Sequence, residues 1–528
     1  MPKLPVKSYA RNKVTEPYDA IIIGSGIGGM ATAGYLAEQG KKVVVLERNY
    51  TPGGFTQVFK RRDYEWDVGV HYIGDVHREH SMIRKQFDYL SEGRLEWANM
   101  GDVYDKLFFG DEVYDFRSGP QEFVEQLCIY FPDEKEAIEQ YIALIYETQR
   151  SQSNYFMEKA LPQFVSKLIG GRMRKKALNH NRTTLEVLQD LTQNKKLIAV
   201  LTGQFGDYGL PPSQSSFMIH AMVVKHYLNG ANYPIGGSSR IFESILPTLQ
   251  NRGGEVYISA EVKEIIVKNN KAIGVRMEDD LEIFAPMVVS GAGIYNTFKK
   301  LLPTAVREKN GLNAQAEKIK PSVAHVCLYV GFKHSTADLQ LKKPNFWIFP
   351  NNYDHDKNID TYLNDPDAEL PVVYVSFPSA KDPDWDNRYP GKATVDIITL
   401  APYSWYEKWE GTRWHHRGEE YEAMKEKLSQ RLLEAVYRHV PQLRGKVDYY
   451  ELSTPLSTQH FANYQFGELY GIDHTPERFE QRFLRPQTPV KNLYLTGQDV
   501  ISCGVGGALA GGLLTASAIL KKNLMKEL

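Results

Sequence analysis

The sequence predicts an α/β fold, a doubly wound parallel sheet with an α+β unit inserted into it. Three observations predict it. Residues 18–54, "YDAIIIGSGIGGMATAGYLAEQGKKVVVLERNYTPGG", write a strand, a glycine turn, a helix and a second strand in order. From about His80 to Tyr227 the pattern turns to helical periodicity, as in "EFVEQLCIYF" and "EAIEQYIALIYETQ", with few strand signals. Strand signals then return and continue to "NLYLTGQD", which precedes a final glycine-rich helix.

Each element follows from its residues. Ala20–Ile23 is a continuous apolar run, the mark of a parallel strand covered on both faces. Gly28–Gln39 has helix-forming spacing and is closed by Gly40, and Lys42–Glu47 supplies the second strand of one βαβ unit. Further strands are expected in "GGEVYISAEVKEIIVKNNKAIGVRM", "PMVVSGAG", "VAHVCLYVGF", "LPVVYVSF" and "ATVDIITLA". The sheet that opens the chain is therefore expected to be discontinuous in sequence.

Composition narrows the function. In 528 residues, 63 Lys and Arg against 64 Asp and Glu leave a net charge of −1, so no global field steers the chain onto nucleic acid. Three cysteines, Cys128, Cys327 and Cys503, show no CxxC spacing, which predicts a reduced, cytoplasmic chain without a structural metal. The first apolar run is too short for a signal-peptide core, and no run approaches the ~20 residues of a membrane span.

Gly24, Gly26 and Gly29 fit GxGxxG: one glycine for a tight turn, one for close approach of backbone to a pyrophosphate, one for packing of helix on strand. The phosphates then sit at the positive end of the helix dipole. Glu47 follows at the end of the second strand, where a carboxylate receives ribose hydroxyls and disfavours a 2′-phosphate. FAD rather than NAD is suggested by Gly53 and Gly54 soon after the acid, and by the C-terminal "NLYLTGQDVISCGVGGALAGGLLTASAIL". There Asp499 follows a strand and can accept from a sugar hydroxyl, while Gly506 and Gly507 open a helix. The alternative for these glycines is close helix packing in the core.

These stretches, with "GGFTQVFKRRDYEWDVGVHYIG", "SFMIHAMVVKHYLNGANYPIGGSSRIFESILPTLQNRGGEVY" and "VSFPSAKDPDWDNRYPGKATVDIITLAPYSWYEKW", resemble the all-trans-retinol 13,14-reductase (retinol saturase) family. That family sits within the phytoene desaturase and carotenoid isomerase group of FAD proteins, and the likeness runs from Tyr18 to Leu520. The resemblance implies FAD on Gly24, Gly26, Gly29, Glu47, Gly54, Asp499, Gly506 and Gly507, with Val262 presenting backbone to adenine and Gly69–His71 near the isoalloxazine. Phe55 stands where many relatives carry an arginine after the paired glycines, which speaks against amine-oxidase-like chemistry. Only one dinucleotide fingerprint is visible, because Gly236 and Gly291 begin motifs with no acid at the right distance. Electrons are then expected from a transient donor, a quinone or a partner protein.

A Rossmann-like FAD-binding domain is accordingly expected from residues 1–80, 231–300 and 490–528, with a substrate domain from 81–230 and 301–489. An apolar tunnel should lie beneath the flavin. The expected reaction is saturation of one C=C bond in a retinoid or carotenoid, with hydride from flavin N5 and a proton from the protein. Isomerisation or desaturation of a carotenoid, and a lipid carrier with FAD as a prop, are the alternatives. His71, Tyr72, His220 and Tyr233 are the candidate catalytic residues, with His71 first; His226 and Tyr227 lie beside the same motifs. Each has an alternative as a satisfied buried polar group. His220 and His226, six apart, do not share a helical face, which sets aside a metal pair.

Residues 156–176, "FMEKALPQFVSKLIGGRMRKK", carry Leu161, Phe164, Val165, Leu168 and Ile169 at helical spacing, Pro162 in a first-turn position, then Arg172, Arg174, Lys175 and Lys176. The pattern suits a segment lying on an anionic membrane, the alternative being a helix packed on the substrate domain.

Overall fold

The computed structural model describes residues 5–15, 17–161, 166, 168, 170, 171, 179 and 181–528. Segment 156–176 therefore lies mostly outside the described residues, and so do its four terminal cations. Among the described residues no helix is long and apolar enough to cross a membrane, and no group of three metal-ligating side chains occurs.

The strand β1 (Lys7–Ser8), β2 (Ala20–Ile23), β3 (Val43–Leu46), β4 (Glu255–Ile258), β5 (Val288–Ser290) and β6 (Leu493–Leu495) form one parallel sheet in the order β1-β4-β3-β2-β5-β6. Every residue of β2, β3 and β5 is buried, which is why "AIII", "VVVL" and "VVS" show no polar alternation. Helix α1 (Ile27–Glu38) packs on this sheet and against the C-terminal helix Gly504–Leu520. Glycines allow that crossing: a Cβ on Gly512 would lie 2.9 Å from the Gly28 carbonyl oxygen, and one on Gly28 would lie 2.4 Å from Gly497 Cα.

A second sheet has seven strands, in the order Val447–Ser453, His325–Phe332, Ala393–Leu400, Val373–Ser376, Asn345–Phe349, Val103–Phe109 and Glu112–Arg117. Its pairs are antiparallel except where Asn345–Phe349 meets Val103–Phe109. The last two strands lie within the stretch from about His80 to Tyr227, which was expected to be mostly helical with few strand signals and lends two strands to this sheet. They form a hairpin across Gly110 and Asp111, with Gly110 at φ +60°. Helices Lys135–Ala160 and Phe217–Tyr227 pack together over this part.

The two sheets are joined by the hairpin Val58–Arg61 and Tyr64–Asp67. Its Trp66 packs with Tyr64, Cys327 and Tyr329, and the indole donates to the Val330 carbonyl at 3.1 Å.

Candidate active site

A cleft opens where strands β2 and β3 end, the position at which open α/β sheets bind ligands. Gly24, Gly26, Gly29, Glu47, Gly54, Val262 and Asp499 all line it. Gly24 makes the turn, at φ +94°, with its N–H donating to the Leu46 carbonyl at 2.9 Å. A Cβ on Gly29 would lie 2.2 Å from the Gly24 oxygen, so this glycine serves the packing of helix on turn.

Gly26 differs. It caps α1 at φ −58° and ψ 164°, a conformation any residue adopts, and a Cβ built on it meets nothing within 4 Å. The chain itself does not need glycine there. A ligand pressed against the backbone at the start of α1 does, and that is the test a dinucleotide pyrophosphate passes.

Glu47 is fixed at the strand end. One carboxylate oxygen accepts from the Ser25 N–H at 2.8 Å and hydroxyl at 2.6 Å, the other from the Asn49 N–H at 2.8 Å. Asp499 accepts from the Ile294 N–H at 2.8 Å, and its burial raises its pKa against the opposing charge of Arg478. Phe55 stacks on Tyr464 with ring centres 5.5 Å apart, both in the cleft wall. Gly506 and Gly507 stand apart from the cleft. A Cβ on Gly507 would lie 2.2 Å from the Ser502 oxygen, a packing role, while Gly506 faces Ile83 and the His226 ring. Gly504 and Val505 line the cleft instead, so the helix start that meets it lies earlier than the paired glycines suggest.

The four candidate catalytic residues do not meet in one place. His71 follows the cleft residue Gly69 by two positions; its Nδ1 lies 3.5 Å from Asp396 Oδ2, and its carbonyl accepts from Lys381 Nζ at 2.9 Å. Burial, helped by the Lys381 charge, lowers the imidazole to about 3, so it is neutral near pH 7. Tyr72 points into the helical side, stacked on Tyr227 with centres 4.1 Å apart. His220 is buried between the hydroxyls of Tyr141, at 2.8 Å, and Tyr208, at 3.1 Å, which is the satisfied-core alternative. Tyr233 donates to Asp67 in a short hydrogen bond and is committed there. His226 accepts from the Gly74 N–H at 2.8 Å.

The sequence reading missed four ionisable groups around this region: Asp105, Asp207, Lys381 and Asp396. Asp105, Lys381 and Asp396 are almost fully buried. Burial raises Asp105 to about 6 and pulls Lys381 down to about 7. The available signal was a lone acid inside an apolar strand, in "YDKLFF" and "TVDIIT".

The family model described as flavin containing amine oxidoreductase matches residues 27–520. The chain is similar to the all-trans-retinol 13,14-reductase of Danio rerio, with 35% identity over 99% of this chain and 89% of the relative. It is 27% identical to the chloroplastic prolycopene isomerase of Arabidopsis thaliana over 96% of this chain and 84% of that one. The solved structure of putrescine oxidase with putrescine superposes at a TM-score of 0.62 and 14% identity, covering 96% of this chain and all of the other, a likeness of fold. Fold, cleft and family model agree: the chain belongs to the flavin-containing amine oxidoreductase family and is an FAD-dependent oxidoreductase.

Proposed function

We propose that this enzyme reduces one C=C bond of a conjugated isoprenoid, a retinoid or a carotenoid. The observation that carries the reading is the 35% identity, sustained over 99% of the chain, to a reductase of all-trans-retinol. Two features support it. Phe55 puts an apolar ring, stacked on Tyr464, in the wall that would otherwise take a cation. Beyond Gly69, the buried rings of Tyr72, Tyr227 and Tyr374 form an aromatic layer, an apolar surrounding in keeping with a polyene substrate.

In this reading the cleft would hold FAD, with the backbone at Gly26 meeting its pyrophosphate and Glu47 and Asp499 accepting from its sugar hydroxyls. Bound there, FAD supplies reversible two-electron, one-hydrogen chemistry. The chain's own residues bind and orient the cofactor, exclude water and hold the proton that completes the reduction. The segments 1–80, 231–300 and 490–528 serve FAD, and the remainder serves the substrate. Residues 156–176 draw the enzyme to the bilayer in which such a substrate dissolves.

The test is anaerobic. The dithionite-reduced protein is mixed with all-trans-retinol or a carotenoid extract and the products are weighed by mass spectrometry. A gain of two hydrogens is expected. An unchanged mass with altered retention would replace reduction by isomerisation, and no product from any polyene would favour a lipid carrier.

A further inference from the structure

Between the loop Gly69–Tyr72 and the start of the C-terminal helix stand two acids that the FAD contacts leave unused. The Tyr72 hydroxyl lies 2.8 Å from Oδ2 of Asp207 and 3.2 Å from Oδ2 of Asp105. A tyrosine has one hydroxyl hydrogen, which satisfies one carboxylate and leaves the other facing a lone pair. Asp105 has further donors, Gln204 Nε2 at 2.7 Å and Asn345 Nδ2 at 2.9 Å. The carboxyl of Asp207 has Tyr72 alone among the described residues.

One arrangement gives every group a partner and keeps Asp105, the acid with more donors, as the carboxylate. Asp105 stays a carboxylate and takes the Tyr72 hydrogen, and Asp207 carries a proton that it donates to the Tyr72 oxygen. Burial, then the charge of Asp105, push the Asp207 carboxyl well above the usual range, in agreement with this assignment.

Asp207 is also next to the cleft. The neighbouring Gly206 carbonyl accepts from the Tyr470 hydroxyl at 2.8 Å, and the Asp207 carbonyl lies 3.5 Å from Cys503 Sγ. Tyr470 and Gly504 both line the cleft, as does Gly69 on the other side. Asp105 is fully buried and Asp207 is not, so Asp207 is the less enclosed of the two.

We propose that Asp207 is the acid that protonates the reduced double bond, with Tyr72 and Asp105 as the groups that position it. The inference rests on the polyene-reduction reading. Reduced flavin supplies the electron pair and one hydrogen to the first carbon. The second carbon forms its C–H bond with the proton of Asp207 as the O–H bond breaks. The carboxylate left behind recovers a proton from water, and the flavin is re-reduced by an external two-electron donor, dithionite in the test.

The groups facing Asp207 are Tyr72, Tyr104, Asp105, Tyr208, Tyr227, Tyr374, Tyr470 and Cys503, with Lys381 reaching Asp105 through Asn345. Burial raises all the tyrosines and the cysteine, which leaves Asp105 and Lys381 as the charges present near pH 7. Protonated Asp207 is the active form, so turnover falls as pH rises through its ionisation.

The test compares holoenzyme with Asp207→Asn and, should that variant fold poorly, Tyr72→Phe, which keeps the stacked ring. Infrared spectra of the resting proteins near pH 7 should show a protonated-carboxyl band that Asp207→Asn removes. With flavin content unchanged, Asp207→Asn should slow polyene-dependent flavin reoxidation by ~100-fold or more. Tyr72→Phe should shift the alkaline limb of the pH profile. A wild-type minus Asp207→Asn difference spectrum without such a band, or turnover within threefold of wild type, or a pH limb unmoved in Tyr72→Phe, would overturn the assignment while leaving the polyene reading intact. A wild type that reduces no polyene, though its flavin is reducible, would remove the reading and the inference together.

Discussion

The cleft and the aromatic layer beside it are built by opposite rules. At the glycine turns of the cleft side chains are kept out: Gly24, Gly26, Gly29, Gly54 and Gly504 present backbone. In the layer they are crowded in: Tyr72 and Tyr227 stack 4.1 Å apart over buried Asp105. A ligand held by backbone tolerates no side chain, whereas chemistry on a polyene needs protons, which only side chains can store at a chosen position. Substitutions on the two sides should therefore fail in different ways.

The largest effect is expected at Gly29. Its Cβ would lie 2.2 Å from backbone, so Gly29→Val should yield misfolded, insoluble protein, read by recovery of soluble chain. Gly26→Val, three residues earlier, should fold with the melting temperature of the wild-type apoprotein and come out colourless, because its Cβ occupies only ligand space. A yellow, stoichiometric Gly26→Val holoprotein would refute the cradle.

Asp499→Ala should fold and bind FAD about 10- to 100-fold more weakly, the scale of a lost charged hydrogen bond, measured by flavin titration of the apoprotein. On the other side, His220 should matter for stability and not for flavin. Burial holds its imidazole down at about 3, whereas the unfolded chain takes up that proton below about 6.5. The unfolded state binds more protons between these values, so this contribution is present above pH 6.5 and is lost as pH falls toward 3. His220→Gln should accordingly flatten the acid side of the stability curve by up to about 1.4 kcal/mol per pH unit, as followed by thermal melts from pH 7 to pH 4. The smallest effect is expected from changing Arg172, Arg174, Lys175 and Lys176 to Gln. That variant should keep its activity on detergent-solubilised substrate and sediment less with anionic liposomes; unchanged sedimentation would refute the membrane role.

The same contrast explains what could be read in the amino-acid sequence. Backbone sites leave a local trace: glycines at fixed spacing after an apolar strand, an acid at the end of the next strand, and here Gly24, Gly26, Gly29 and Glu47 meet in one cleft. The parallel sheet was legible for the same reason, since continuous runs such as "VVVL" encode burial on both faces. Gly506 and Gly507 lie beside the cleft lining and not in it, for a glycine that admits a ligand and one that admits a neighbouring backbone look alike in one dimension. Hairpin Val103–Arg117 was missed although its two-residue turn, Gly110 and Asp111, is a hairpin signal, because its aromatics lie beside strongly helical segments.

Side-chain sites leave no such trace. Tyr72 meets Asp105 across 33 positions and Asp207 across 135, a contact set by tertiary packing and not by any spacing. His220 was chosen for its chemistry, but the two tyrosine hydroxyls that hold it come from 79 positions before it and 12 positions before it. A buried histidine and a catalytic one share a letter, and only their neighbours distinguish them.

The most direct measurement is a single turnover. The holoprotein is photoreduced under argon, mixed with one equivalent of all-trans-retinol, and followed at the flavin absorption. The yellow colour of oxidised flavin should return in step with a product two hydrogens heavier. A flavin that stays bleached while the polyene is recovered unchanged, and does so across retinoids and carotenoids alike, would contradict reduction of a conjugated isoprenoid as the work of this enzyme.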